Sequence, residues 1–582
     1  FDKGRPLCNR KKMTGRNVNP GLTEPMEFEQ KAEEKKMSMS KNIARLAVTA
    51  GLTAALSFGG VMAPVTMAFA EGAATGSVTI KNANNNVTDF KGYKIFDANV
   101  VKDENGKTLV SNITWANEKV EAAVKGVITE IEPSANIATA QDAAEWIKGH
   151  VTGTDEEFRV ASESAAYKIA AAVSAVTNLD DSSDYTTTSN GVANNLSHGY
   201  WLFVTDASTV TGVEAATAPI FTVVGDEAVK INEKTSIPTV NKEVKENGTW
   251  GNVSDSQIGE EIEYRLTGSV ADNIDTFTTY TYEFHDHLSV GLEAIPSSVA
   301  VTINGRPVQP TNNYNVKLTD TLDASKKVTG HDLMISFTDL KAAAKASNVT
   351  LIKNSKVVVT YKAKLTRDAE YTATGNTNEV TLVYSNDPMS KGTGTSTPKK
   401  VTDYVFGLDI TKVEEGNTDK KLAAGFKVKV VNNGDSASAG KWLKDDGTLV
   451  ETKENASEFM TDATSGKVLI PGLVKGTYEI AETTTPSGYN TIAPFQITVT
   501  PTYDENGKLS TLAVGEDVEK VTPGTANGSV MSITIENKKG SGLPLTGLNG
   551  VTFTWIAGGA VLCIGVAHLI RSRKQAEESE QE

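Results

Sequence analysis

Cysteine is almost missing from this chain: two in 582 residues, Cys8 and Cys563, one near each end. A disulfide framework across the body of the protein is therefore excluded, and so is a cysteine-based metal site or thiol nucleophile within it. Basic charge is also short, with 57 Lys and Arg against 72 Asp and Glu, a formal net charge of -15. That balance argues against a nucleic-acid partner and suits a soluble, self-repelling surface. Histidine is sparse at six, and His150 and His198 stand isolated, which reads as surface or capping residues and not as ligands. No Ser-His-Asp context, metal cluster or paired-carboxylate cleft emerges, so a hydrolase is not supported. Long apolar runs are confined to two places, one from about Leu46 and one over 551–570.

These two runs frame the chain. The first follows Met37 or Met39 and the basic residues Lys41 and Arg45, and it ends at Ala68-Phe69-Ala70, a small-residue cleavage site. Residues 37–70 thus read as a signal peptide, and 1–36 as a non-native upstream segment. The second run is long enough to cross a bilayer as a helix and is followed by Arg571, Arg573 and Lys574, a cytoplasmic stop. Just before it stands Leu543-Pro544-Leu545-Thr546-Gly547. Pentapeptide, span and basic tail in this order resemble the LPXTG cell-wall sorting signal of Gram-positive surface proteins. The resemblance implies that a sortase cleaves between Thr546 and Gly547 and transfers the Thr carboxyl to an amine, leaving the protein covalently attached to peptidoglycan.

The length accommodates about three or four domains, and the pattern between these signals divides into three. Residues 71–236 read as α+β, with strands at 77–81, 93–96, 200–204 and 219–224 and Ala-rich helical periodicity at 118–131, 140–151 and 156–173. Residues 237–400 read as a β-sandwich, with alternating segments at 262–266, 280–284, 299–303, 333–337, 357–365 and 379–384 and an Asn304-Gly305 hairpin turn. The polar stretch 390–400 reads as a linker. A smaller β domain follows over 401–540, with strands at 407–413, 426–431, 477–481, 495–499 and 531–536. The fold class is mainly β: a string of immunoglobulin-like sandwiches, the first domain α+β with helical insertions, and a C-terminal transmembrane helix in 541–582.

Two sets of residues carry chemistry. In the last domain Lys412 lies on the first strand, Glu482 in Tyr478-Glu479-Ile480-Ala481-Glu482-Thr483, and Asn537 at the end of the final strand. They resemble the B-type repeat domains of collagen adhesins and Gram-positive pilins, in which Lys and Asn join as an isopeptide bond assisted by an "E-box" Glu. A lysine amine attacks a carboxamide only when neutral, and burial lowers its pKa while raising that of a carboxylic acid. A protonated Glu482 can then hydrogen-bond the amide oxygen and shuttle protons as ammonia leaves. The middle domain offers Lys242, Asp286 and Asn378, with Asn376 and Asn386 as rival acceptors; this set resembles the central domain of sortase-assembled pilins. Asp286 lies in His285-Asp286-His287, and strand alternation puts Asp286 inward and both histidines outward, which favours the cross-linking role over a metal site.

A polymer subunit also needs an acceptor amine. In major pilins it lies at the end of the first domain; the matching position here is Lys234, with Lys230 the alternate, although the surrounding letters depart from the family's Tyr-Pro-Lys-Asn. The resemblance implies a fimbrial backbone subunit without turnover activity, cofactor or metal. Its partners are pilus-type and housekeeping sortases, copies of itself, minor pilins, peptidoglycan and a host-surface ligand. The rival is a monomeric wall-anchored adhesin that binds a host or matrix ligand.

Overall fold

The computed structural model describes residues 75–81, 88–151, 160–181, 183–212, 214–233, 235–310, 313–516 and 519–540. The signal-peptide, Lys234 and sorting-signal readings, with the span at 551–570, lie outside the described residues. Among the described residues no helix is long and apolar enough to cross a membrane.

The first domain is layered. Strand Phe90–Lys102 pairs with Thr108–Trp115 on one side and with Gly199–Thr205 on the other, and Ile220–Val224 extends the sheet. A second sheet sets Thr75–Lys81 between Val192–Ser197 and, in parallel, Val229–Asn232. Strand Gly199–Thr205 is buried on both faces: Tyr200, Leu202 and Val204 face a helical layer, while Trp201 and Phe203 meet the second sheet. The helices start where polar caps satisfy their free N–H groups. Asn117 accepts from Val120 N at 2.9 Å before helix Glu118–Ile131, and Thr139 forms a reciprocal capping box with Asp142 before Ala140–His150. The third helix, Ala165–Ser174, begins later than the apolar spacing suggests because Ser164 caps it.

The middle domain is a sandwich. One sheet runs in the order Thr249–Gly251, Val240–Glu246, Glu261–Ser269, Lys356–Leu365, Leu292–Ile303 and Arg306–Val308. The other runs Val253–Asp255, Lys399–Tyr404, Asn376–Ser385, Tyr282–Ser289, Val328–Phe337 and Asn315–Leu322. Asn304 and Gly305 both take positive φ, 50° and 77°, in the turn that joins Leu292–Ile303 to Arg306–Val308. The stretch expected as a linker is instead built into this domain. Thr393–Thr395 pairs with Asn376–Ser385, and so does Lys399–Tyr404, which straddles the boundary drawn at 400/401. Its polar composition misleads because an open sheet edge supplies backbone partners whatever the side chains are.

The last domain is a second sandwich. Its first and last strands, Phe406–Glu414 and Val530–Asn537, are parallel neighbours in one sheet. The facing sheet contains Gly425–Asn432, Gly476–Thr484, Phe495–Tyr503 and Leu509–Glu516. The described chain is thus mainly β, with more than one sheet in each of the three parts.

Candidate functional site: two buried lysine clusters

In the last domain, parallel register sets Lys412 opposite Ile535 and Glu414 opposite Asn537. Lys412 and Asn537 both turn into the sandwich, at 0% and 1% exposure, and meet Glu482 from the facing sheet. The lysine Nζ donates to Asn537 Oδ1 and lies 3.5 Å from Glu482 Oε1. Asn537 Nδ2 donates to Glu482 Oε1 at 2.8 Å, and Ile492 N donates to Glu482 Oε2 at 2.8 Å. The acid therefore touches the amide nitrogen, not the oxygen expected from the sequence. A carboxylate fixed by a backbone N–H on its other oxygen draws the donor end of the amide, and the lysine takes the acceptor end. Burial pushes the Lys412 amine down to about 8, against the pull of Glu482. Phe426 supplies an apolar wall, its ring centroid 5.6 Å from Nζ.

The middle cluster is built across the two sheets of its sandwich. Lys242 stands opposite Leu266, in the sheet that also carries Tyr361. Asp286 and Asn378 come from adjacent strands of the facing sheet, where Leu288 is opposite Asn378 and Asp286 opposite Val380. Lys242 Nζ donates to Asp286 Oδ1, and both side chains are fully buried. Burial pushes this amine too down to about 8, while Asp286 acts to raise it. Tyr361, which carried no signal in the sequence reading, is at the centre: its hydroxyl donates to Asp286 Oδ2, accepts from Asn378 Nδ2 at 2.7 Å and lies 3.3 Å from Lys242 Nζ. The Tyr361 ring stacks on Tyr264, centroids 5.3 Å apart, and Nζ lies over both rings.

The rival asparagines serve other contacts. Asn376 Oδ1 accepts from Glu370 N at 2.8 Å, and its Nδ2 donates to Asp403 O at 3.3 Å, which ties a loop to the sheet. Asn386 Nδ2 donates to Glu214 O at 3.0 Å, a contact with the first domain. His285 and His287 face outward, paired with Glu283 and Asp332, while Asp286 points inward. Among the described residues no group of three or more His, Cys, Asp and Glu side chains is arranged to hold a metal. Lys230 is exposed on the edge strand Val229–Asn232.

The family model "SpaA: Prealbumin-like fold domain" matches residues 406–513, a stretch that holds Lys412 and Glu482 and stops before Asn537. No curated protein matches the chain. Among solved structures, the T6 backbone pilin of serotype M6 Streptococcus pyogenes is 16% identical, with 80% of this chain and 99% of that one covered at a TM-score of 0.49. The full-length major pilin SpaD of Corynebacterium diphtheriae is 15% identical over 81% of this chain and 98% of its own, TM-score 0.44. The major pilin SpaA of the same organism is 15% identical over 80% and 100%, TM-score 0.41. Residues 406–513 of this mainly β chain match the prealbumin-like fold domain model, and these three solved structures, similar over 80–81% of the chain, are backbone or major pilins.

Proposed function

We propose that the chain is a structural subunit of a covalently polymerised surface pilus that forms Lys242–Asn378 and Lys412–Asn537 isopeptide bonds within itself. The supporting observation is the repeated cluster: in two separate sandwiches a buried lysine with a depressed pKa lies against a buried acid, with a buried asparagine touching the lysine in the last domain and joined to it through Tyr361 in the middle one. In each, the lysine hands its proton to the neighbouring carboxylate, and the neutral amine attacks the Asn Cγ. The amide nitrogen collects protons and leaves as ammonia. Holding the three groups together across the two sheets of one sandwich supplies an effective molarity of ~10⁵ M or more, so the reaction needs no outside enzyme. Sortase cleavage at Thr546-Gly547 and joining through Lys234 or Lys230 complete the reading, with final attachment to peptidoglycan.

Intact mass tests it. Each bond removes one ammonia, so the chain weighs about 34 Da less than its sequence, and Lys242→Ala and Lys412→Ala each restore about 17 Da. An unshifted mass overturns the bonds. High-mass ladders from cell walls on denaturing gels, lost in a lysine variant, identify the acceptor; a single anchored band favours the adhesin.

A further inference from the structure

The two clusters differ in one respect. In the last domain Glu482 reaches the asparagine amide directly, 2.8 Å from Asn537 Nδ2. In the middle domain the acid is Asp286, one methylene shorter, and among the described residues no hydrogen bond joins it to Asn378. The Tyr361 hydroxyl fills that gap, hydrogen-bonded to Asp286 on one side and to Asn378 Nδ2 on the other. Its place is fixed: Tyr361 is 1% exposed, lies opposite Tyr264 in register and stacks on that ring at an interplanar angle of 18°. Asn378 Oδ1 is buried without a hydrogen-bond partner, which leaves the amide held through its nitrogen.

We propose that Tyr361 is a catalytic residue of the Lys242–Asn378 condensation, its hydroxyl relaying a proton from Asp286 to the amide nitrogen that departs as ammonia. The inference rests on the reading of Lys242, Asp286 and Asn378 as a bond-forming set. Lys242 Nζ first gives a proton to Asp286, then forms a bond to Asn378 Cγ. Once Asp286 is protonated and Nδ2 has gained a lone pair on addition, the Tyr361 hydroxyl turns its hydrogen from Oδ2 to Nδ2; Asp286 then passes its proton to the Tyr361 oxygen while the Tyr361 hydroxyl proton moves to Nδ2. The Cγ–Nδ2 bond breaks, ammonia leaves, and the second amine proton returns to Asp286. No oxidant or outside reactant enters, and Tyr361 ends as it began. Burial holds the phenol far above its usual range, so it exchanges protons without resting as a phenolate.

The test follows bond formation in full-length chain made by cell-free synthesis, acid-quenched at intervals and digested, with the cross-linked Lys242 and Asn378 peptides read by mass spectrometry. Tyr361→Phe keeps the ring and removes the relay; the expected result is a loss of about 100-fold or more in the rate of this bond. The Lys412–Asn537 bond of the same molecules forms at its normal rate and reports that the last domain has folded, while protease resistance of the middle domain reports on its own fold. Asp286→Glu added to Tyr361→Phe lengthens the acid to match the last domain and restores much of the rate. Equal rates in wild type and Tyr361→Phe overturn the relay and leave the bond-forming set standing. A loss that Asp286→Glu does not relieve also overturns it, as a packing effect. A wild-type chain with no Lys242–Asn378 bond overturns the set and the relay together.

Discussion

A buried amine is a poor base, and that property would set the pH at which each proposed bond forms. Burial holds Lys242 and Lys412 both at about 8, so below that value each amine still carries the proton that it passes to its acid. Bond formation in freshly synthesised chain is expected to hold level between pH 6 and 8 and to slow above, where that proton is lost to solvent, as timed by mass spectrometry. A rate that climbs tenfold per pH unit over that window contradicts the internal transfer. In Asn378→Ala and Asn537→Ala variants the amines stay free, and linkage then acts on stability. Their folded pKa lies below the ordinary 10.5, so between about 8 and 10.5 the unfolded chain holds more protons than the folded one. Stability of the unbonded domains therefore rises with pH across that window, measured by chemical denaturation. At this scale the strand contexts of Lys412, Glu482 and Asn537 stood out in sequence, the first and last near the domain's ends, and the structure brings the three side chains together. Tyr361 was not. A tyrosine in an alternating strand reads as core, and its partner Lys242 is 119 residues away.

Strands and helices were legible where local chemistry agreed with tertiary need. Helix Glu118–Ile131 matches the expected bounds because Asn117 caps it and Val120, Val124, Val127 and Ile128 form its buried stripe. Strand Lys399–Tyr404 was hidden because its first residues are lysines, and its pairing comes from a distant sheet edge. The parallel pairing of Phe406–Glu414 with Val530–Asn537 could not be read from either strand alone, yet it decides which asparagine meets Lys412. Residues 412 and 537 are 125 apart, and closing a loop of that length removes chain entropy from the unfolded state worth about 4–5 kcal/mol. Asn537→Ala is expected to cost the last domain roughly that much and to lower its melting transition in calorimetry, with the middle domain's transition nearly unmoved. Equal melting of bonded and unbonded forms argues against the bond.

The three domains touch through specific contacts. Gln257, in the middle domain, sends its buried Nε2 to Gly447 O and Gly472 O of the last, the second at 2.8 Å. Gly472 has φ of +80°, and a Cβ there would lie 2.4 Å from Gly447 O, so only glycine permits the approach. Gln257→Ala leaves two carbonyls without this donor and is expected to loosen the junction; small-angle scattering would show a longer, more variable particle with each domain still folded. An unchanged profile would mean that other contacts set the angle.

The pairing of Asn378 with Val401 has a further consequence. A bond at Asn378 secures the chain on one side only. Residues 379–400 run out along the sheet and come back to Val401, beside the point where they left. If both proposed bonds form and the chain is pulled by its ends, the load falls on this doubled-back piece as on the two ends of a zip. Opening it pays out about 70 Å of slack while both covalent ties hold. A filament of such subunits would yield in steps and recover, instead of snapping.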